Sequence, residues 1–96
     1  MTACFVANVK IKDPQKFQEY AKKAGETFAT YGGEPVLRGK VEEILAGSAE
    51  HQAVGIVKFP DLEALSTWFN SDAYQAIVPL REEAAEMVIV TYTVPA

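Results

Sequence analysis

The sequence predicts an α+β domain in the order β-α-β-β-α-β, and three observations predict it. Ala3 to Ile11, Ala53 to Phe59 and Met87 to Val94 are short, β-rich and largely apolar. Two other stretches, Phe17 to Tyr31 and Leu62 to Ala84, repeat their apolar residues at steps of three and four, the spacing of one helical face. Asp13-Pro14, Gly32-Gly33 and Pro60-Asp61 punctuate the boundaries between them.

In the first strand, Ala3, Phe5, Ala7, Val9 and Ile11 point one way, and Cys4, Val6, Asn8 and Lys10 the other. The first set is nearly all apolar and is expected to face the helices. Cys4 and Val6 are not surface residues by preference, so both faces are expected to be partly covered.

Asp13 is suited to capping the free amides of a helix whose first position is Pro14. The inner face of that helix reads Phe17, Tyr20, Ala21, Ala24, Phe28 and Tyr31. Gly25 lies within it, weakens the helix by ~1 kcal/mol relative to alanine and is read as letting another backbone come close. Gly32-Gly33 supplies a left-handed stop.

The second strand is expected over Pro35 to Gly47, with an irregularity at Gly39. A turn at Gly47 to Glu50 leads into Ala53 to Phe59. That strand and the first are the most apolar, which places both at the centre of the sheet. Asp61 caps a short helix with Glu63 set against its dipole and Leu62, Leu65, Trp68 and Phe69 inward. Asn70-Ser71-Asp72 breaks this helix and caps another, which Pro79 kinks or restarts. Val88, Val90, Tyr92 and Val94 alternate along the last strand.

This order is the ferredoxin-like, or split βαβ, arrangement with a four-stranded antiparallel sheet. Right-handed crossovers put both helical segments on one sheet face. Cys4 and Val6 then lie on the open face, joined by Val54 and Ile56 or by their neighbours. A second copy is the simplest cover, giving a barrel-like dimer.

The chain has 96 residues, room for one domain spanning residues 1–96. Its formal net charge is −4 and its basic residues are scattered, which argues against nucleic-acid or anionic-membrane partners. A single cysteine, Cys4, forbids an internal disulfide and suits a reducing compartment. No signal peptide is visible at Met1 to Phe5, and no apolar run approaches the ~20 residues of a membrane span, so a cytoplasmic location is expected.

The runs Ala7-Asn8-Val9, Asp13-Pro14 with Tyr20, Tyr31-Gly32-Gly33 and Arg38-Gly39 resemble the DUF1330 family, small bacterial proteins of unknown function. Phe59-Pro60-Asp61-Leu62-Glu63-Ala64, Trp68-Phe69-Asn70-Ser71, Tyr74-Gln75, Leu80-Arg81 and Ala84-Ala85 continue the resemblance along nearly the whole chain. It implies the dimeric α+β barrel fold and supplies no reaction. The second strand departs from the family's pattern, with Val41-Glu42-Glu43 where a further glycine is expected. Cofactor-free monooxygenases and small isomerases share the scaffold, and fold alone does not choose among them.

No metal constellation or phosphate loop is patterned, and no cofactor is implied. His51 reads as an exposed turn residue and Cys4 as a small buried hydrophobe. Arg38 and Arg81 are each a lone cation in an apolar stretch. They read as structural arginines or as a clamp for a small carboxylate, since a guanidinium grips such groups in two-pronged fashion. Asn8 is a polar residue in a central strand, suited to a structural hydrogen bond or to a ligand carbonyl. A cleft between helices and sheet is the default ligand site. Its expected lining is Asn8, Tyr31, Arg38, Trp68, Tyr74 and Arg81.

Three functions compete on this reading. The first is a dimer that binds a small organic ligand, an anion if the arginines serve as a clamp. The second is a cofactor-independent monooxygenase or isomerase acting on an aromatic or carbonyl substrate. The third is a structural or interaction dimer with a filled cleft.

Overall fold

Alternation along the first strand sorts the whole molecule into two sides. In β1 (Thr2–Ile11), Ala3, Phe5, Ala7 and Val9 are buried, whereas Cys4, Val6 and Asn8 are half-buried and Lys10 is exposed. The chain continues through α1 (Pro14–Ala29), β2 (Glu34–Lys40), β3 (Ala53–Phe59), α2 (Leu62–Phe69), α3 (Asp72–Gln75), α4 (Val78–Ala84) and β4 (Ala85–Val94). This computed structural model describes residues 2–95; Met1 and Ala96, the two ends of the expected domain, lie outside the described residues. The strands form one antiparallel sheet in the order β2-β3-β1-β4, with β3 and β1 central as their composition predicts.

Register fixes which side chains share a face. Ala3, Phe5, Ala7 and Val9 pair with Phe59, Val57, Gly55 and Ala53 of β3. These residues face the helices. Cys4, Val6 and Asn8 pair with Lys58, Ile56 and Val54, so Val54 and Ile56 are on the open face. On the other flank, Tyr92, Val90 and Val88 of β4 pair with the same three residues of β1.

The helix boundaries have local causes. The Asp13 carboxylate accepts from the Gln15 and Lys16 amides at 3.1 Å each, and Pro14 opens α1. Asp61 caps α2 through the Ala64 amide at 2.8 Å. The Ser71 hydroxyl accepts from the Tyr74 amide at 3.2 Å and starts α3. Of the two outcomes expected at Pro79, a kink or a restart, the structure has the restart, as α4. Gly32 takes a φ of 83° beyond α1, which only glycine adopts without strain. Gly33 has no room for a side chain: a Cβ there would lie 2.9 Å from both the Phe28 carbonyl oxygen and the Phe59 ring.

Three expectations are corrected. The second strand ends at Lys40, not Gly47, because its hairpin partner begins at Ala53, opposite Lys40. The Val41 amide donates to the Gln52 carbonyl, and Gln52 bonds to Val9 and Ile11 of β1, but residues 41–52 form no regular element. The strand irregularity falls between Pro35 and Leu37, where proline lacks an amide to donate, and not at Gly39, which pairs with Val54. Gly25 does not admit a neighbouring backbone. A Cβ there would meet only the Phe28 ring, at 3.9 Å.

The core centres on Trp68, which is 1% exposed. Its indole lies parallel to the Phe5 ring, 7° between planes and 5.1 Å between centres. Phe59 and Tyr74 pack against it at 5.5 and 4.4 Å. The opposite sheet face is apolar and uncovered. Val88, Val90, Tyr92 and Val94 are 40–52% exposed on one strand. Among the described residues no helix is long and apolar enough to cross a membrane.

Candidate functional site

Between α1 and the β2–β3 side of the sheet lies a cleft of about 520 Å³. Small residues create it. Gly55 sits in a central strand on the helix-facing side, yet a Cβ added there would touch nothing within 4 Å. Ala7 and Ala53 are its neighbours on the floor, and Ala21, Ala24 and Gly25 of α1 form a shallow roof above. The helix meanwhile packs against α4 at the other side of the molecule. Interiors are normally close-packed; here three neighbouring inner positions of α1 are too small to fill the space beneath them. Phe5, Phe28 and Trp68 line the apolar interior, and Tyr20 lines it from α1.

The structure divides the six residues expected to share one cleft. Trp68 and Arg38 line it. Arg38 lies on β2 opposite Gly55, and hence on the helix side of the sheet. Asn8 is on the other face, beside a smaller hollow that it shares with His51 and Glu50, because residues of one strand alternate. Tyr31 is half-buried, past the end of α1 and against the core. Tyr74 and Arg81 lie behind Tyr20, outside the cleft wall.

Arg81 has other work. Its Nη1 donates to the Tyr74 hydroxyl at 2.9 Å, and that hydroxyl meets the Tyr20 hydroxyl at 2.8 Å. The guanidinium also stands 6.0 Å from the centre of the Tyr74 ring. Both phenols are buried, at 5% and 0% exposure, so each oxygen depends on this chain for its partner. Burial, then the adjoining Tyr74 hydroxyl, pushes Tyr20 far above the usual phenol range, and the opposing pull of Arg81 is too weak to reverse it. Burial opposes the charge of Arg81, but its bond to Tyr74 and the nearby Tyr20 and Glu82 outweigh this and raise its pKa. Among the described residues no carboxylate, Glu42 and Glu86 included, forms an ion pair with either Arg38 or Arg81.

Lys40 was not anticipated at the site. It lines the cleft two residues beyond Arg38, opposite Ala53 and on the same face of β2. The signal was present: in an edge strand, positions two apart share a side. The expectation of an irregularity at Gly39 obscured it. The indole Nε1 of Trp68 donates to the Thr27 hydroxyl at 2.9 Å and is therefore already satisfied. Cys4, expected to be buried, is half-buried on the open sheet face of the single chain.

The sequence pattern of the domain of unknown function DUF1330 matches residues 2–93. The chain belongs to the DUF1330 family. Among solved structures, the RPA0582 protein of unknown function from Rhodopseudomonas palustris superposes with a TM-score of 0.79 at 18% identity. That match covers 98% of this chain and 84% of the other. SnoaB, a cofactor-independent oxygenase from Streptomyces nogalater, gives 0.73 at 14% identity over 99% and 94% of the two chains. A dimeric ferredoxin-like protein of unknown function from Thermobifida fusca gives 0.68 at 11% identity over 98% and 92%. At these identities the likeness shows the α+β ferredoxin-like fold of this DUF1330 member. No curated protein matches the chain.

Proposed function

We propose that this DUF1330 protein is a homodimer that binds a small organic molecule in the cleft beneath α1 of each chain. The cleft carries the reading. Protein interiors are packed to the density of organic crystals, so a hollow maintained by Gly55, Ala53, Ala21, Ala24 and Gly25 needs an occupant to explain it. Its volume falls in the range of ligand pockets, about 300–1,000 Å³, and its aromatic walls suit a ring-bearing molecule. A structural dimer with a filled cleft is disfavoured, since none of the described residues fills the space.

Gly55→Leu tests this directly. The new side chain points into the cleft, and a strand position tolerates leucine better than glycine. Wild-type protein is expected to enhance the fluorescence of the neutral probe N-phenylnaphthylamine saturably. The variant is expected to unfold cooperatively like wild type and not to enhance it. Equal enhancement by both proteins would defeat the reading.

The dimer rests on the apolar stripe of β4, with Val6 and Ile56 beside it. A neighbour of the same fold is described as dimeric, which supports it. Sedimentation at micromolar concentration is expected to give twice the mass of one chain. A stable folded monomer under those conditions would defeat it.

An oxygenase or isomerase is the second reading, favoured by the SnoaB fold likeness. Such chemistry needs a proton acceptor near the substrate. Among the described residues lining the cleft there is no His, Asp, Glu or Cys, and burial keeps the Tyr20 phenol protonated, so it is no proton acceptor. Binding is therefore the better-supported reading. A cytoplasmic setting, in which Cys4 stays reduced, accords with it.

A further inference from the structure

We propose that the ligand is an amphipathic organic anion, its apolar body against Phe5, Phe28 and Trp68 and its acid group at the cleft mouth between Arg38 and Lys40. This rests on the cleft being a binding site and adds the class of molecule it takes.

Three observations converge on it. Arg38 and Lys40 stand two residues apart on the helix-facing side of β2, and both line the cleft. Among the described residues the lining includes no acidic side chain. Neither cation makes an ion pair among the described residues, although Lys16, Lys23 and Lys58 all find a glutamate. In a chain of net charge −4, two neighbouring cations without a carboxylate partner are a local excess of positive charge.

The geometry also solves a desolvation problem. Burying a carboxylate in an apolar hollow is costly. All of β2 is exposed, so an acid group held there stays at the water boundary while the attached rings enter the dry interior. Arg38 offers a planar fork for a carboxylate or sulfonate, and Lys40 offers a mobile point charge. Arg81, committed to Tyr74, is not needed.

The test compares two probes of matched shape, naphthoate and the neutral naphthalene-methanol, by titration calorimetry at low salt. Wild type is expected to bind naphthoate about tenfold or more tightly than the alcohol, which corresponds to ~1.4 kcal/mol. Added salt is expected to shrink that preference, because the cations are exposed. In the double variant Arg38→Ala, Lys40→Ala the two probes are expected to bind alike. Gly55→Leu is expected to lose both. If wild type binds the alcohol as tightly as naphthoate, or if the double variant keeps the preference, the anion assignment is wrong and the cleft remains a binding site. If wild type binds neither probe, the binding site and the assignment fall together.

Discussion

Trp68→Ala is expected to destabilise the protein by ~3–5 kcal/mol, the range for large aromatic truncations in cores. The side chain is 1% exposed and contacts Phe5, Phe28, Phe59, Phe69 and Tyr74. Removing it deletes the hub through which α2 grips the sheet. It also leaves the Thr27 hydroxyl without its donor, although that hydroxyl still donates to the Ala24 carbonyl at 2.7 Å. Small domains have limited stability to lose, about 5–15 kcal/mol in all. Urea unfolding followed by circular dichroism checks the effect. A loss under about 1 kcal/mol, well below that range, would mean that the aromatic cluster is not the centre of the core.

The second large effect is expected from Tyr74→Phe, a change of one oxygen atom. Tyr74 is fully buried and links Tyr20 to Arg81. Without its hydroxyl, the Tyr20 oxygen is stranded in the interior and Arg81 loses its only side-chain acceptor among the described residues. A buried unsatisfied group costs about 1–3 kcal/mol, and the half-buried cation adds to this to the extent that water cannot reach it. Tyr20→Phe is the informative comparison. It leaves the bond between Arg81 and Tyr74 intact, so its cost is expected to be the smaller of the two. Matching unfolding curves for both variants and wild type would show that the hydroxyl chain contributes nothing.

Much of the fold could be read from the residues, and the reasons are specific. The alternation of Ala3, Phe5, Ala7 and Val9 against their neighbours located β1 and its buried face. Asp13, Asp61 and Ser71 announced three helix starts because each carries a short polar side chain immediately before an amphipathic run. The extent of β2 was not legible. Val41, Ile44 and Leu45 have strand-like composition, but a strand exists only where a partner does, and pairing is a property of two segments. Leu45 is 89% exposed, which no local pattern could announce.

The candidate site was less legible than the fold. Local reasoning marked lone polar residues in apolar stretches, and so selected Asn8, Arg38 and Arg81 together. Which of them share a space depends on sheet register and on where α1 leans. Arg81 looked available because its acceptor, Tyr74, is an aromatic that reads as core. The cleft itself is made by absent side chains at Gly55 and Gly25 and by alanines. Small residues in sequence look like tight packing and open space alike, and only the third dimension separates the two.

The pairing of β1 with β4 joins Thr2 to Val94. The first strand of the domain therefore lies between two partners that follow it in the chain, and one of them is the last strand of the sheet. A chain stopped before β4 would hold an apolar central strand with one edge bare, a template for pairing with other chains. Contacts between residues so far apart in sequence also slow folding, since most of the chain must be gathered before they can form. The vulnerable interval is the one in which β1 waits for its distant partner, and the pairing of β4 (Ala85–Val94) closes the sheet and ends it.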